Sequence, residues 1–288
     1  MNSRLTNLLI LLLSILSISA LATNDADDNQ VSIPFLVVNG LIIIEAEIDN
    51  EKGNYIFDTG AEELILNKEV RSGKTMFSSI NGDISTDEVN INLLKIGNLT
   101  HSEIKAYSAD LGSMESYLNI SLQGVIGSSV FMPRKIKIDF IASEIILSST
   151  DDLIIGRDSY VNFEMYDGVP VCSIRIEGKD YLFGFDTGAT MHVLDHKNKS
   201  TAIILDLLKD TGLDTYVTTG TGDKTVNKIK TLPSFMLGNQ IVDDAQFLLQ
   251  DLSGFNESME QPIYGVLSLT TLDADNIVID LEQGRIYF

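Results

Sequence analysis

The chain has 288 residues, of which 44% are hydrophobic and 21% charged, a composition typical of a globular protein with about two domains. Acidic residues number 41 against 20 basic ones, and the resulting net charge of -21 excludes nucleic acid as a partner. The single cysteine, Cys172, excludes an intramolecular disulfide, and the three histidines lack metal-ligand spacing, so we expect no metal and no other cofactor.

The chain begins with the parts of an export signal. Arg4 precedes an apolar run from Leu8 to Ile18, and Ala20-Leu21-Ala22 fits the small-x-small cleavage pattern. The alternative is a retained membrane anchor, but the apolar stretch is about 15 residues long, whereas about 20 are needed to span a bilayer. We therefore interpret residues 1–22 as a signal peptide of an exported protein, periplasmic or extracellular, with no integral membrane segment after cleavage.

Two copies of one unit make up the rest of the chain. At an offset of 128 residues, Asp58–Ala61 matches Asp186–Ala189, and at an offset of 141, Gly124-Val125 matches Gly265-Val266. The second copy carries 13 extra residues, in a stretch that has apolar residues at helical spacing between Ala202 and Leu208. A period above about 100 residues indicates duplicated domains rather than a solenoid.

Each copy has the residue pattern of β structure. Its first apolar segment, Phe35–Ile48 or Phe163–Ile176, is interrupted by Asn-Gly or Asp-Gly, which are typical of two-residue hairpin turns. We predict an all-β protein of two tandem lobes with few short helices. The lobes are expected at residues 31–148 and 159–288, joined by a linker at 149–158.

The repeated Asp-Thr-Gly-Ala motif is the strongest indication of chemistry. A single Asp-Thr-Gly is a weak signal, but here it follows a hydrophobic strand at matching positions of both copies, at Asp58 and Asp186. Gly-Val-Ile or Gly-Val-Leu follows 66 or 79 residues later. The glycine of the motif lets backbone amides approach the carboxylate, and the threonine hydroxyl can hold the turn. The alternative is a pair of structural turn aspartates.

With these motifs the sequence resembles the retropepsin-like aspartic proteases of the pepsin and retropepsin clan, over nearly all of residues 31–288. The resemblance implies two β-barrel lobes related by pseudo-twofold symmetry, with Asp58 and Asp186 as the catalytic dyad. Such a pair shares one proton, so that one carboxyl activates water while the other polarises a carbonyl. The residues that the family's motif assigns to support of the dyad are Thr59, Gly60, Thr187 and Gly188.

The resemblance also implies residues that contact the substrate. The family has glycine-rich hairpin tips, the flaps, that close over the substrate, and they would lie at residues 80–83 and 220–223. The residue after Asp-Thr-Gly-Ala often touches the substrate backbone in the family. The substrate and flap residues implied in this way are Glu62, Thr190, Gly82, Gly220 and Gly222.

The sequence departs from the family's pattern at two places. In the second copy, Ser268 stands where the first copy has Gly127, in a hydrophobic-hydrophobic-glycine element. If this position requires positive φ, serine adds strain of order 1 kcal/mol or more. Glu62 and Glu63 add negative charge beside the first motif, and we expect this charge to raise the pKa of the dyad.

These observations predict an exported aspartic endopeptidase that hydrolyses peptide or protein substrates as a monomeric pseudodimer. The alternative is a catalytically silent pepsin-like module that binds peptides or proteins, which Ser268 and the two glutamates favour. A third hypothesis pairs each lobe with a lobe of another chain, so that the dyad forms between molecules.

Overall fold

The computed structural model describes residues 30–77, 79–218, 224–259, 261–272 and 275–288. The predicted signal peptide and the predicted flap glycines Gly220 and Gly222 lie outside the described residues. Across the described ranges, no helix combines the length and the apolar character that crossing a membrane requires.

The first half of the chain is built from strands and one short helix in its described part. Isoleucine, leucine and valine dominate the buried strands, which accords with the β propensity of branched side chains. The elements are β1 (Gln30–Val38), β2 (Leu41–Ile48), β3 (Glu51–Asp58), β4 (Leu64–Asn67), β5 (Thr75–Phe77), β6 (Ile84–Ile96), β7 (Leu99–Ala109), α1 (Gly112–Leu118), β8 (Gly124–Gly127), β9 (Lys135–Asp139) and β10 (Glu144–Ser148).

The second half repeats this order and adds a helix. The helix predicted in the insertion is confirmed as α2, and the residues after it lengthen the hairpin that follows. The elements are β11 (Tyr160–Tyr166), β12 (Val169–Ile176), β13 (Lys179–Asp186), β14 (His192–Asp195), α2 (Ala202–Leu207), β15 (Lys209–Thr218), β16 (Lys224–Leu237), β17 (Gln240–Gln250), α3 (Ser253–Ser258), β18 (Gly265–Ser268), β19 (Asn276–Asp280) and β20 (Arg285–Tyr287).

The hairpin turns predicted from Asn-Gly and Asp-Gly are present in both halves. Asn39 and Gly40 join β1 to β2 with φ values of 51° and 88°, and Asp167 and Gly168 join β11 to β12 with φ values of 51° and 79°. Both central residues of each turn are therefore left-handed, which asparagine, aspartate and glycine tolerate better than other residues.

The strands that carry the Asp-Thr-Gly motifs have the same neighbours in both halves. Strand β3 pairs in parallel with β8, and β13 pairs in parallel with β18. Strand β4 lies between β7 and β8, as β14 lies between β17 and β18. The structure thus confirms the predicted all-β fold of two tandem lobes.

A sheet with strands from the beginning and the end of each lobe joins the two lobes. Its strands pair antiparallel in the order β1, β10, β9, β19, β20 and β11. Lys135 of β9 is buried in this sheet, with Nζ 2.9 Å from an oxygen of Asp151 and 3.5 Å from an oxygen of the buried Asp280. The pairing of β9 with β19 thus joins the two lobes through backbone hydrogen bonds.

Candidate active site

Asp58 and Asp186 lie at the carboxyl ends of β3 and β13, where the two lobes meet. Both side chains are buried, and their carboxyl groups lie close enough for each to affect the pKa of the other. Parallel pairing brings each aspartate beside the last residue of its neighbouring strand, so that Asp58 lies opposite Gly127 and Asp186 opposite Ser268. The structure therefore brings the two predicted catalytic residues together.

The glycines of the two motifs are required by the opposite lobe. The Gly60 N–H donates to Oδ1 of Asp58 at 2.8 Å, and the Gly188 N–H donates to Oδ1 of Asp186 at 2.6 Å. A Cβ on Gly60 would lie 2.4 Å from Cγ of Asp186, and a Cβ on Gly188 would lie 2.5 Å from Cγ of Asp58. Any side chain at either glycine would force the two carboxyl groups apart.

The threonines of the motifs connect the two lobes beneath the aspartates. The Thr59 N–H donates to Oγ1 of Thr187 at 2.9 Å, and the Thr187 N–H donates to Oγ1 of Thr59 at 3.2 Å. The Thr187 hydroxyl also donates to the carbonyl oxygen of Phe57 at 3.1 Å. These bonds are buried, so they position each aspartate relative to the other lobe.

The environment of the dyad favours the neutral form of its carboxyl groups. Burial raises the pKa of Asp58 and raises the pKa of Asp186 well above its ordinary value, and the charge of Asp58 adds to the effect on Asp186. The hydrogen bonds that Asp58 accepts oppose the shift of its pKa. The pair can therefore hold a shared proton, which general acid–base chemistry requires.

Ser268 adopts an ordinary extended backbone conformation. Its φ is -90° and that of Gly127 is -81°, so neither position needs the positive φ that would strain a serine. Gly127 is a glycine for another reason, since a Cβ there would lie 2.5 Å from the carbonyl oxygen of Glu63. The corresponding loop of the second lobe leaves room for the Ser268 side chain.

Glu62 and Thr190, which follow the two motifs, lie against the hairpin turns of the opposite lobes. A Cβ on Gly168 would lie 2.6 Å from Oε2 of Glu62, and a Cβ on Gly40 would lie 3.6 Å from Cγ2 of Thr190. Glu62 is buried and Thr190 is partly buried. Both residues therefore contribute to the contact between the lobes beside the dyad.

The charge of Glu62 acts mainly on its neighbour in the sequence. Burial, together with the charge of Glu62, raises the pKa of Glu63 to about 7, while the charge of Lys105 lowers it. The raised pKa values of the dyad come from burial and, for Asp186, from its partner's charge. The charge of Glu62 thus raises the pKa of Glu63, and the effect of the two glutamates on the dyad stays a prediction.

The hairpin formed by β5 and β6, where the resemblance predicts the flap of the first lobe, touches the second lobe. Gly82 closes its turn with a φ of 102°, and its N–H donates to the Ser79 carbonyl oxygen at 3.0 Å. The tip residue Ile80 is buried in a hydrophobic cluster whose other members belong to the second lobe, among them Val217, Phe255 and Ile263.

Gln250 holds this flap tip from the end of β17. Its Nε2 donates to the carbonyl oxygen of Ile80 and, at 2.9 Å, to Oδ1 of Asn81. Sequence reasoning missed Gln250, although the alignment of the two copies places Ala109 at its position. A buried polar residue in one copy where the other has alanine is a signal that could have revealed it.

Comparison with known proteins agrees with the geometry. A family model described as aspartyl protease matches residues 44–130 and again residues 172–271. The two matches fall in the two lobes, and each contains one aspartate of the dyad. No curated protein matches the chain.

Proposed function

The chain belongs to the aspartyl protease family, and from this premise we propose that it is an exported endopeptidase whose dyad is Asp58 and Asp186. The observation that carries the proposal is the pair of buried carboxyl groups, one from each lobe, that lie close enough for each to affect the pKa of the other. Neither a nucleophilic side chain nor a cofactor is needed for this chemistry.

The proposed reaction uses the one proton that the dyad shares. The ionised carboxylate removes a proton from a water molecule, whose oxygen attacks the carbonyl carbon of the scissile peptide. The protonated carboxyl donates to the carbonyl oxygen, and a tetrahedral diol forms. A proton then passes from the dyad to the peptide nitrogen, and the C–N bond breaks while one hydroxyl of the diol returns its proton to the dyad. The products are a carboxylic acid and an amine, and the dyad again holds one proton.

The threonine bonds and the flap have supporting roles in this proposal. The bonds between Thr59 and Thr187 keep the carboxyl groups at a constant separation while the proton moves. The predicted flap, whose tip residue Ile80 is buried against the second lobe, would exclude bulk water from a bound peptide. The substrate is thus expected to bind as an extended chain between the flap and the dyad.

The test is cleavage of a peptide library by the purified protein, by two single variants and their double variant, and by one control variant. Asp58→Asn and Asp186→Asn should each lower kcat by at least about 1,000-fold, and the double variant should be little worse, because the carboxyl groups act as a unit. Asp158→Asn, at an exposed position, is the matched control and should remain active. A statine-type transition-state mimic should inhibit the unmutated protein.

Mixing the two single variants tests whether the protein acts as a monomeric pseudodimer. A dyad formed within one chain leaves the mixture inactive, whereas a dyad formed between chains restores part of the activity. Full activity in either single variant would contradict the paired-aspartate mechanism.

A catalytically silent peptide-binding protein is the second candidate, favoured by one difference between the lobes. Within the described residues, no backbone hydrogen bond joins residues 269–270 to residues 189–190, whereas such bonds hold the first loop to its neighbour, as described below. In that case the unmutated protein would bind the statine mimic or library peptides without cleaving them.

Export is proposed from residues 1–22, which precede the described structure. The mature protein should begin near Thr23 and remain in solution after release. Sequencing of the N-terminus of protein recovered from its native host tests this proposal, and Met1 retained on membrane-bound protein would contradict it.

A further inference from the structure

His192, the first residue of β14, lies beneath the loop that carries Asp186. Its side chain is 4% exposed and packs against Phe247, with ring centroids 5.1 Å apart. The alignment of the two copies places Leu64 at this position in the first lobe. The second lobe thus has a buried imidazole at a position where the first lobe has an apolar side chain.

Backbone bonds hold the loop in the first lobe. The Ser128 N–H donates to the carbonyl oxygen of Ala61 at 2.8 Å, and the Ser129 N–H donates to that of Glu62 at 3.1 Å. The close approach needs Gly127, as shown above, and Leu64 also pairs with Ile126 in the ladder. The segment after Asp58 is thereby fixed without any side-chain acceptor.

The second lobe uses a side chain for the same purpose. No backbone bond joins Leu269 or Thr270 to residues 189–190 in the described structure, and His192 has no ladder partner in β18. Instead, the Ser268 N–H donates to Nδ1 of His192 at 3.1 Å. Ser268 lies beside Asp186 in the parallel pairing of β13 with β18. The His192 side chain therefore contacts a residue that is a direct neighbour of the dyad.

The hydrogen bond from Ser268 determines which nitrogen of the His192 ring carries the proton. Because Nδ1 accepts from the Ser268 N–H, the ring proton of the neutral form is on Nε2, which faces Oγ1 of Thr270 at 3.5 Å. Burial lowers the pKa of His192 to about 4, so the ring is neutral at neutral pH. The Ser268 hydroxyl lies 2.6 Å from Oγ1 of Thr270, which completes a polar cluster under the loop.

We propose that His192 is a positioning residue for Asp186, because its Nδ1 holds the Ser268 backbone where the first lobe relies on bonds between main-chain groups. The inference rests on the proposed function, in which Asp186 must face Asp58 accurately. It also explains why Ser268 is compatible with an active dyad, since the serine belongs to a second way of fixing the same loop.

The test compares two amides of similar polarity at position 192. In His192→Asn the side-chain oxygen can take the place of Nδ1, whereas in His192→Gln the amide reaches the place of Nε2 instead. We expect His192→Asn to keep kcat within about threefold and His192→Gln to lose at least about tenfold in kcat, with KM changed less than about twofold in both. His192→Leu, which copies the first lobe, should resemble His192→Gln.

Two further measurements on the same variants do not require cleavage. Hydrogen exchange of the Ser268 amide should remain slow in His192→Asn and should accelerate at least about tenfold in His192→Gln. Carboxyl titration of the dyad by NMR should be unchanged in the first variant and shifted in the second. If the unmutated protein cleaves nothing, the proposed function fails, while these two measurements still decide the role of His192.

Equal kcat, equal Ser268 exchange and equal dyad titration in the Asn and Gln variants would overturn the proposal. If both variants lost kcat while both remained folded with slow Ser268 exchange, a positioning role through this hydrogen bond would also be wrong.

Discussion

The carboxyl groups of the dyad leave no space for a side chain at the neighbouring glycine positions. Gly60 shows this most clearly, because a methyl group there would lie 2.4 Å from Cγ of Asp186. No flexible side chain can move aside, since both carboxyl groups are buried and held by backbone amides. The glycine is therefore required by contact with the other lobe rather than by its own backbone conformation.

Gly60→Ala should consequently separate the two carboxyl groups. We expect a loss of kcat of at least about 100-fold together with a lower melting temperature, since overpacking a buried site costs about 1–3 kcal/mol. Gly254→Ala is the matched control, because a Cβ at Gly254 in α3 meets no atom within 4 Å. The control should keep full activity and be slightly more stable. Unchanged kcat in Gly60→Ala would contradict this account of the site.

Glu63 gives a prediction about pH and stability. Its pKa is raised from 4.5 to about 7, so the folded protein binds this proton more tightly than the unfolded chain does. The stability that this residue contributes is present below about pH 4.5 and is lost as pH rises through about 7. Glu63→Gln should therefore raise the melting temperature by about 2–4 °C at pH 8 and leave it unchanged at pH 4.

Differential scanning calorimetry of Glu63→Gln at both pH values checks this prediction. Glu45→Gln is the control, because Glu45 is well exposed and only forms a surface ion pair with Lys52. An equal gain at pH 4 and pH 8 would mean that packing, and not the buried charge, explains the change.

At the scale of secondary-structure elements, the two halves are similar in topology and different in how their loops are held. The insertion after β14 forms α2 and lengthens β15, and the polar cluster at His192 replaces the backbone bonds of the first lobe. The flap of the first lobe, in turn, is held by a residue of β17 for which the first lobe has Ala109. The two lobes thus share their strand topology and differ in the contacts that hold their loops.

Gln250→Ala should release the flap tip from the second lobe. Nε2 of Gln250 makes two buried hydrogen bonds to Ile80 and Asn81, each worth about 1 kcal/mol. Amide exchange at residues 79–82 should therefore accelerate by roughly tenfold in this variant. Gln246→Ala on the exposed face of the same strand should leave this exchange unchanged. Similar exchange in both variants would show that Ile80 packing alone holds the flap.

At the scale of the whole molecule, the shared sheet determines whether the two aspartates meet. Three strands of the first lobe lie next to three strands of the second in this sheet, and at the junction Lys135 of β9 contacts Asp280 of β19 across the lobe boundary. Both side chains are buried, so removing the cation would leave the Asp280 charge without its partner cation in a poorly solvated place.

Lys135→Met should lower the melting temperature by about 5 °C or more, because breaking a buried ion pair by removing one partner is costly. Adding Asp280→Asn should recover part of the loss. Lys137→Met is the control, since Lys137 pairs with Asp139 at a more exposed position of the same strand. Equal effects of the two lysine substitutions would mean that the buried pair has no special part in joining the lobes.

The sequence by itself determined the features that depend on local patterns. The repeat of Asp58–Ala61 at Asp186–Ala189, the hairpins at Asn39-Gly40 and Asp167-Gly168, and the helix at Ala202 could all be predicted. Hydrophobic alternation and turn chemistry act over a few residues, so they are visible in a single chain. Duplication supplied the rest, because matching motifs in two copies indicated two equivalent lobes and a pair of aspartates.

Only the tertiary structure decided which distant groups meet. The fit of Gly60 against Asp186, the hold of Gln250 on the flap, the burial of Glu63 and the bond from Ser268 to His192 all join segments that are far apart in the chain or depend on packing. The conditional concern about φ at Ser268 came from reading the matching glycine, Gly127, as a sign of positive φ, whereas contact with the carbonyl oxygen of Glu63 is what requires that glycine. Contact distances and burial depend on the packed chain, and no local pattern of residues encodes them.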